Sequence, residues 1–165
     1  MQPTDLLIFE LDKLVGEECW GVVGGAGTGS VISLDFGKQI PRNKPLKNPY
    51  VTEMVRNYES EFRLMLYCSW RIESRWQVIS GSHMSNENDG PMVTGLDYIR
   101  GKKILAVTFT EPAYDLRIRF VNEVDLVVHC SLIGMDDDRC YSLSAPHGVF
   151  SVCYDGKVRL TENVT

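Results

Sequence analysis

The sequence lacks most of the features that announce a chemistry. Its five cysteines, Cys19, Cys68, Cys130, Cys140 and Cys153, are odd in number and include no CxxC pair. That pattern gives neither a complete disulfide framework nor a zinc knuckle. No run approaches the roughly 18 apolar residues of a membrane span. Met1 to Ile8 has no basic start, long apolar core or small-residue cleavage site of a secretory signal. Positive charge is in the minority, with Lys plus Arg at 17 against Asp plus Glu at 22 and a net charge of -5. Such a surface repels nucleic acid and anionic membranes unless a local patch overrides it. The nearest approach to one is Lys38, Arg42, Lys44 and Lys47, broken by Pro41 and Pro45, which reads as a positively charged loop. The expectation is a cytoplasmic protein with no nucleic-acid partner, no membrane partner and no cofactor.

Catalytic and metal-binding signatures are missing too. His83, His129 and His147 show no HxH or HExxH spacing, and no G-x-S-x-G elbow occurs. Gly24 to Ser30 is rich in glycine, but Gly29 stands where a phosphate-binding loop needs lysine, and an alternating strand rather than a helix follows it. It reads as a hairpin tip available to a partner or a neighbouring loop. Asp136-Asp137-Asp138 lacks the glycine and closing glutamate of a calcium loop and reads as a solvated turn. The carboxylate pairs Glu59/Glu61 and Glu87/Asp89 come with no neighbouring sequence signal for acid–base catalysis.

What is present is ordinary globular material: 165 residues, 44% hydrophobic, enough for one domain with a real core. Leu6, Leu7, Leu11, Leu14 and Val15 recur at spacings near 3.6, predicting a helix over Thr4 to Val15 stopped by Gly16. Strands are expected at Cys19 to Val23 and at Ile32 to Phe36, joined as a hairpin around the glycines. Gly37 to Pro49 is expected to be loop, and Thr52 to Tyr58 a short helix with Met54, Val55 and Tyr58 on one side. Phe62, Leu64, Leu66, Cys68, Trp70 and Ile72 alternate as one long strand. A short strand at Trp76 to Ser80 and a polar loop at Ser82 to Gly90 follow. Pro91 then opens a second helix that Gly101 stops. Beyond it come strands at Ile104 to Phe109, Leu116 to Phe120 and Val124 to Cys130, and an acidic loop at Met135 to Arg139. Tyr141 to Ser144, Val149 to Tyr154 and Lys157 to Leu160 finish the chain, the last two joined by the hairpin signal Asp155-Gly156.

These elements fall into two parallel series. Leu11-Asp12-Lys13-Leu14-Val15-Gly16 matches Leu96-Asp97-Tyr98-Ile99-Arg100-Gly101 at an offset of 85, and Val22 falls on Val107. Leu34-Asp35-Phe36 matches Ile118-Arg119-Phe120 at 84, and Leu64 to Ser69 matches Leu126 to Ser131 at 62. The shortening has one source, since Gly37 to Glu61 is replaced in the second half by a turn at Val121. The reading is an internal duplication, with pseudo-repeats at about 5–90 and 91–160 of a single domain. Neither half can bury both its helix stripe and its sheet face alone, so the two share a core. The fold class is α+β and mostly antiparallel, with two or three short helices. Either two packed sheets or one curved, barrel-like sheet satisfies the pattern.

Candidates for contact with a partner come from what the first half has alone. Trp20, Trp70 and Trp76 all lie there, with Leu105 and Leu132 where Trp20 and Trp70 align. Tryptophan buries a large area at little entropic cost, so an exposed one is an anchor. Trp20 and Trp76, the glycine tip at Gly27, the basic loop at Arg42 and Lys44, and the polar residues Asn86 and Asp89 form the candidate set, joined by Asp137 from the acidic loop of the second half.

The runs CWGVVGGAGTGSVISLDFG at Cys19 to Gly37, IPRNKPLKNP at Ile40 to Pro49 and CSWRIES at Cys68 to Ser74 resemble those of uncharacterised bacterial proteins associated with the immunity proteins of polymorphic toxin systems. The resemblance implies a non-enzymatic protein that binds and neutralises a cognate toxin. The alternative is an enzyme or small-ligand binder with a cleft between the repeats, holding one of the histidines with carboxylates. A third reading is an oligomer subunit that uses an exposed sheet edge. The sequence leaves the oligomeric state open.

Overall fold

The computed structural model describes residues 1–131 and 138–163. Helix α1 (Pro3–Asp12) begins with proline in its first turn, and the Asp5 carboxylate accepts the Gln2 backbone N–H at 3.1 Å. It buries Leu7 and Leu11, with Leu14 buried in the turns beyond, and Gly16 ends the segment at φ +88°. Strands β1 (Gly21–Val23) and β2 (Ile32–Pro41) form the expected hairpin around the glycines. After α2 (Glu53–Asn57) come β3 (Tyr58–Leu66), β4 (Ser69–Glu73) and β5 (Val78–Gly81). The second half runs α3 (Pro91–Leu96), β6 (Ile104–Thr110), β7 (Asp115–Phe120), β8 (Asp125–His129), β9 (Arg139–Ala145), β10 (Gly148–Cys153) and β11 (Val158–Glu162).

The strands make two antiparallel sheets rather than one curved sheet. One has the order β1-β2-β3-β9-β10-β11, the other β5-β4-β8-β7-β6. Their inner faces meet in one core that includes Phe36, Leu64, Leu143 and Phe150 from the first sheet and Trp70, Ile72, Ile118 and Leu126 from the second. Each such side chain contributes about 1.5–3 kcal/mol by leaving water. No helix among the described residues is long and apolar enough to cross a membrane.

Several expectations need correction. The stretch from Phe62 to Ile72 is two strands in different sheets, broken at Tyr67 and Cys68. Its alternation runs on unbroken because both sheets turn the same parity of residue toward one shared core. β2 continues through Gly37 to Pro41, with a register shift between Phe36 and Gln39, where a loop was expected. Val15, counted in the apolar stripe of the first helix, is exposed beyond the end of α1; Met54 is exposed too, and only Val55 of α2 is buried. Trp76 lies in the turn before β5, outside the strand expected to start there. Arg139 opens β9, which shortens the expected acidic loop; Met135, Asp136 and Asp137 of that loop lie outside the described residues.

The topology is duplication-like. Each sheet opens on three consecutive strands of one half, β1-β2-β3 or β6-β7-β8, and is completed by strands of the other half. The registers repeat as well. Leu34 faces Leu64 as Ile118 faces Leu126, and Val22 faces Leu34 as Val107 faces Ile118. Where the halves touch, Glu18 bridges Lys103, its counterpart at the offset of 85. The flanking hydrogen bonds come in matched pairs. Gly16 N–H donates to Ile104 C=O at 2.8 Å and Gly101 N–H to Cys19 C=O at 2.7 Å. Cys19 N–H donates to Lys102 C=O, and Ile104 N–H to Glu17 C=O, both at 2.9 Å.

Candidate functional site

The outer face of the five-stranded sheet carries an ionic grid that follows from strand register. Glu73 on β4 stands opposite Asp125 on β8, and Asp125 opposite Arg119 on β7; one row along, Arg71, Val127 and Arg117 line up in the same way. Asp125 receives Arg119 Nε at 2.8 Å on one oxygen and Arg117 Nη1 at 2.6 Å on the other. Arg117 Nη1 also reaches Glu73 at 3.0 Å, and Arg71 Nε reaches Glu73 at 2.6 Å. The hydrogen bond from Arg119, with that from Arg117, holds the Asp125 carboxyl below its ordinary range despite partial burial. Arg71 and then Arg117 do the same for Glu73. Glu73, Arg117, Arg119 and Asp125 floor a cleft of about 510 Å³ whose walls include Arg75, Leu105 and Glu123.

The β4–β5 turn stands beside this cleft. Ser74 shapes it: its backbone N–H donates to Gln77 C=O at 2.9 Å, and its hydroxyl accepts the N–H groups of Trp76 and Gln77 at 3.2 and 3.3 Å. The turn presents Trp76 to solvent at 83% exposure, with the Arg75 guanidinium 4.8 Å from the indole centroid. Val78 and Tyr98, both half-exposed, line a second cleft of about 250 Å³. Val78 pairs with Glu73, and Asn122 in the β7–β8 turn donates to Tyr98 C=O at 2.9 Å, so these residues gather at one end of the sheet. Leu105 and Val121 are exposed at the same end. An exposed tryptophan and tyrosine among arginines is the composition that concentrates binding energy in protein interfaces.

Of the candidates read from sequence that lie among the described residues, Trp76 alone joins this end. Trp20 is half-buried and donates its indole N–H to Gly37 C=O at 3.0 Å. Arg42 is turned inward, donating to Val55 C=O at 3.2 Å and to Glu59 at 3.3 Å. Lys44 is exposed on the loop that follows, which also carries an exposed Leu46 and a Tyr50 that is 87% exposed. Gly27 lies at the exposed glycine tip, and Asn86 ties that tip down by donating to Gly25 C=O and Gly29 C=O, each at 3.2 Å. Asp89 is exposed in the same polar loop as Asn86. Asp137 lies outside the described residues. Arg75, Tyr98, Leu105 and the ionic grid escaped the sequence reading. Opposite charges at positions the repeat register places face to face were the signal for the grid.

The histidines take separate places. His147 Nδ1 meets the fully buried Glu10 carboxylate, which also takes Lys13 Nζ at 3.0 Å; Phe9 packs edge-on to the imidazole. This cluster fastens α1 to the β9–β10 turn. His83 contacts Ser69 Oγ at 3.3 Å, and His129 lies 3.5 Å from Asp115. None of these histidines lines the two clefts at the Trp76 end. Among the described residues no His, Cys, Asp and Glu group of three or more is arranged to hold a metal ion. Set against known protein families, curated proteins and solved structures, the chain matches none of them.

Proposed function

We propose that this chain is a non-enzymatic protein-binding module of the bacterial cytoplasm, an immunity-like inhibitor that engages a cognate toxin through the Trp76 end of its five-stranded sheet. The observation that carries this reading is Trp76 itself, an 83% exposed indole fixed by the Ser74 turn and backed by Arg75. A folded protein spends solubility to keep such a side chain in water, and a pre-shaped turn removes much of the entropic cost of docking it. The toxin as partner is supported by the resemblance of the Cys19–Gly37, Ile40–Pro49 and Cys68–Ser74 runs. The scaffold is best explained by internal duplication, which is supported by the matched strand orders, the repeated registers and the self-bridging pair Glu18 and Lys103.

The test pairs the purified chain with the toxin domain encoded beside it. The wild-type chain is expected to bind that domain and to restore growth of cells producing it. Trp76→Ala is expected to weaken binding about 30-fold, the equivalent of roughly 2 kcal/mol at a hot spot. A complex insensitive to Trp76→Ala but lost in Tyr50→Ala moves the surface to the proline loop. No complex at all overturns the proposal.

A further inference from the structure

Partner binding leaves unused a knot of three thiols where the chain crosses between the sheets. β3 ends at Leu66 and β4 begins at Ser69, so Cys68 lies in the crossing itself. Ser69 pairs with His129 and Trp70 with Val128, which places Cys68 opposite Cys130 one step beyond the ladder. Both share the parity of the buried Trp70, Ile72, Leu126 and Val128, and both are buried. On its other side the Cys68 backbone N–H donates to Cys140 C=O at 2.9 Å, and Cys140 is fully buried. Residues directly opposed on antiparallel strands have Cα atoms about 4.5–5.5 Å apart. That separation falls inside the window of about 4.4–6.8 Å that a disulfide requires. A cleft of about 310 Å³ opens beside the knot, lined by Tyr67 and Arg139, the residues that precede Cys68 and Cys140.

We propose that this knot is a two-electron oxidation site at which a hydroperoxide converts Cys68 and Cys130 to a disulfide, with Cys140 oxidised first and then released. The Cys140 thiolate attacks the distal peroxide oxygen. The O–O bond breaks, and the departing oxygen leaves as water or an alcohol with the proton that Cys140 gave up. Cys68 sulfur then displaces the hydroxyl of the Cys140 sulfenic acid, which leaves as water with the Cys68 proton. Cys130 next attacks Cys68 sulfur, expelling Cys140, which takes up the Cys130 proton. In net terms two thiols are oxidised to one S–S bond while the hydroperoxide is reduced. The ionisation order agrees with these roles. Hydrogen bonding with Cys130 and then with Cys68 lowers Cys140 to about 4. Hydrogen bonding with Cys140 and with Cys68, together with burial, pushes Cys130 up, and its Sγ donates to Tyr114 C=O at 3.6 Å. Cys68 rises to about 12, because its bond with Cys130 lowers it less than its bond with Cys140 and its burial raise it. The most acidic thiol is both the readiest thiolate and the best leaving group.

The experiment treats the intact chain with limiting hydrogen peroxide, alkylates it in denaturant and maps peptides without reduction. Sulfoxide formation at the exposed Met1 serves as the dose marker. The expected result is a loss of two hydrogens from the intact mass, a Cys68–Cys130 cross-link, and alkylated Cys19, Cys140 and Cys153. Cys130→Ser is expected to move the cross-link to Cys68–Cys140, and Cys140→Ser to slow its formation at least tenfold. Thermal unfolding of each variant shows that it is folded. The proposal is overturned if the three thiols stay alkylatable at doses that oxidise Met1, if they advance to sulfinic acids without a cross-link, or if Cys140→Ser reacts at the wild-type rate.

Discussion

Asp35 on β2 faces Arg63 on β3, and at the matching positions of the second half Arg119 on β7 faces Asp125 on β8. The two pairs have the same geometry, with Nε to Oδ1 at 2.8 Å in each, but the charges have changed strands. What differs is the cover. In the first half the long connection between β2 and β3 folds α2 back over the sheet. Val55 of α2 is buried against Gly21 beside the Asp35 carboxylate, and Arg42 pins the segment to the Val55 carbonyl. In the second half a short turn at Val121 replaces that connection, and the Asp125 carboxylate, 7% exposed, pairs with arginines whose side chains are 41% and 53% exposed. Both carboxylates are buried, but one half covers its pair with a helix and the other leaves the arginines of its pair at the surface. The Trp76 end belongs to the uncovered sheet, which is why an excursion that looks like a binding loop in sequence serves first as a lid on its own half.

The largest test of this difference is Arg63→Ala. It strands a carboxylate that is fully buried, that keeps Ser60 Oγ at 2.6 Å on Oδ1, and whose Oδ2 has no hydrogen-bond partner among the described residues. Removing one partner of a buried pair costs about 3 kcal/mol or more, read as a lower urea midpoint at unchanged slope. Arg119→Ala is expected to lose much less, because Arg117 still holds Asp125. Equal losses would mean that cover does not set the energy of the pair.

Next in size is Gly21→Ala. A Cβ there stands 2.6 Å from Asp35 Oδ2 and 3.0 Å from Val55 Cγ2, so either the carboxylate or α2 must move. Overpacking of this kind costs about 1–3 kcal/mol. The matching position of the second half already holds an exposed alanine, Ala106, opposite Arg119. Equal stability of Gly21→Ala and wild type would remove the claim that α2 is closely packed there.

Much of this frame was legible in the residues, and the parts that were not share one cause. The offsets that align Leu34 with Ile118 and Leu64 with Leu126 are the registers the strands use, because strand pairing preserves parity and spacing. Parity cannot say which sheet a strand joins, and so Phe62 to Ile72 read as one strand where the chain changes sheets at Cys68. Nor does it say what lies above a face. Arg42 and Lys44 looked equivalent in the basic loop, yet Arg42 is a structural tie and Lys44 is exposed, a difference set by α2. Trp70 and Trp76 looked equally apolar, and only the end of the strand places Trp76 in a turn.

Acid sharpens the comparison at a smaller scale. Arginine donation lowers the folded-state pKa of Asp125 and Glu73 relative to the unfolded chain. A group lowered in this way lends stability that is present above its unfolded value, near 3.8 for aspartate, and that is lost as pH falls through its folded value. Asp125→Asn is therefore expected to cost about 1 kcal/mol at neutral pH, a figure kept small because water reaches both arginines. In urea titrations the cost should shrink as pH falls below 3.8 and vanish once the folded carboxyl is itself protonated. A penalty that persists in acid would show that Asp125 acts by packing, as an interior residue does.

The smallest expected effect on stability is the one that matters most for function. Trp76 sits on the uncovered sheet, outside the core, with its turn held by Ser74 through backbone bonds that an alanine keeps. Trp76→Ala is therefore expected to leave the urea midpoint within about 0.5 kcal/mol of wild type. Under the proposed function the same change weakens the toxin complex by about 2 kcal/mol. Arg63→Ala should do the reverse where enough folded protein remains, lowering stability while leaving affinity intact, since its pair lies beneath α2. Separation of the two readouts would assign the covered half to stability and the open half to recognition. A stability loss in Trp76→Ala comparable to that of Arg63→Ala would show that the indole is held as core, and would take the anchor away from the open half.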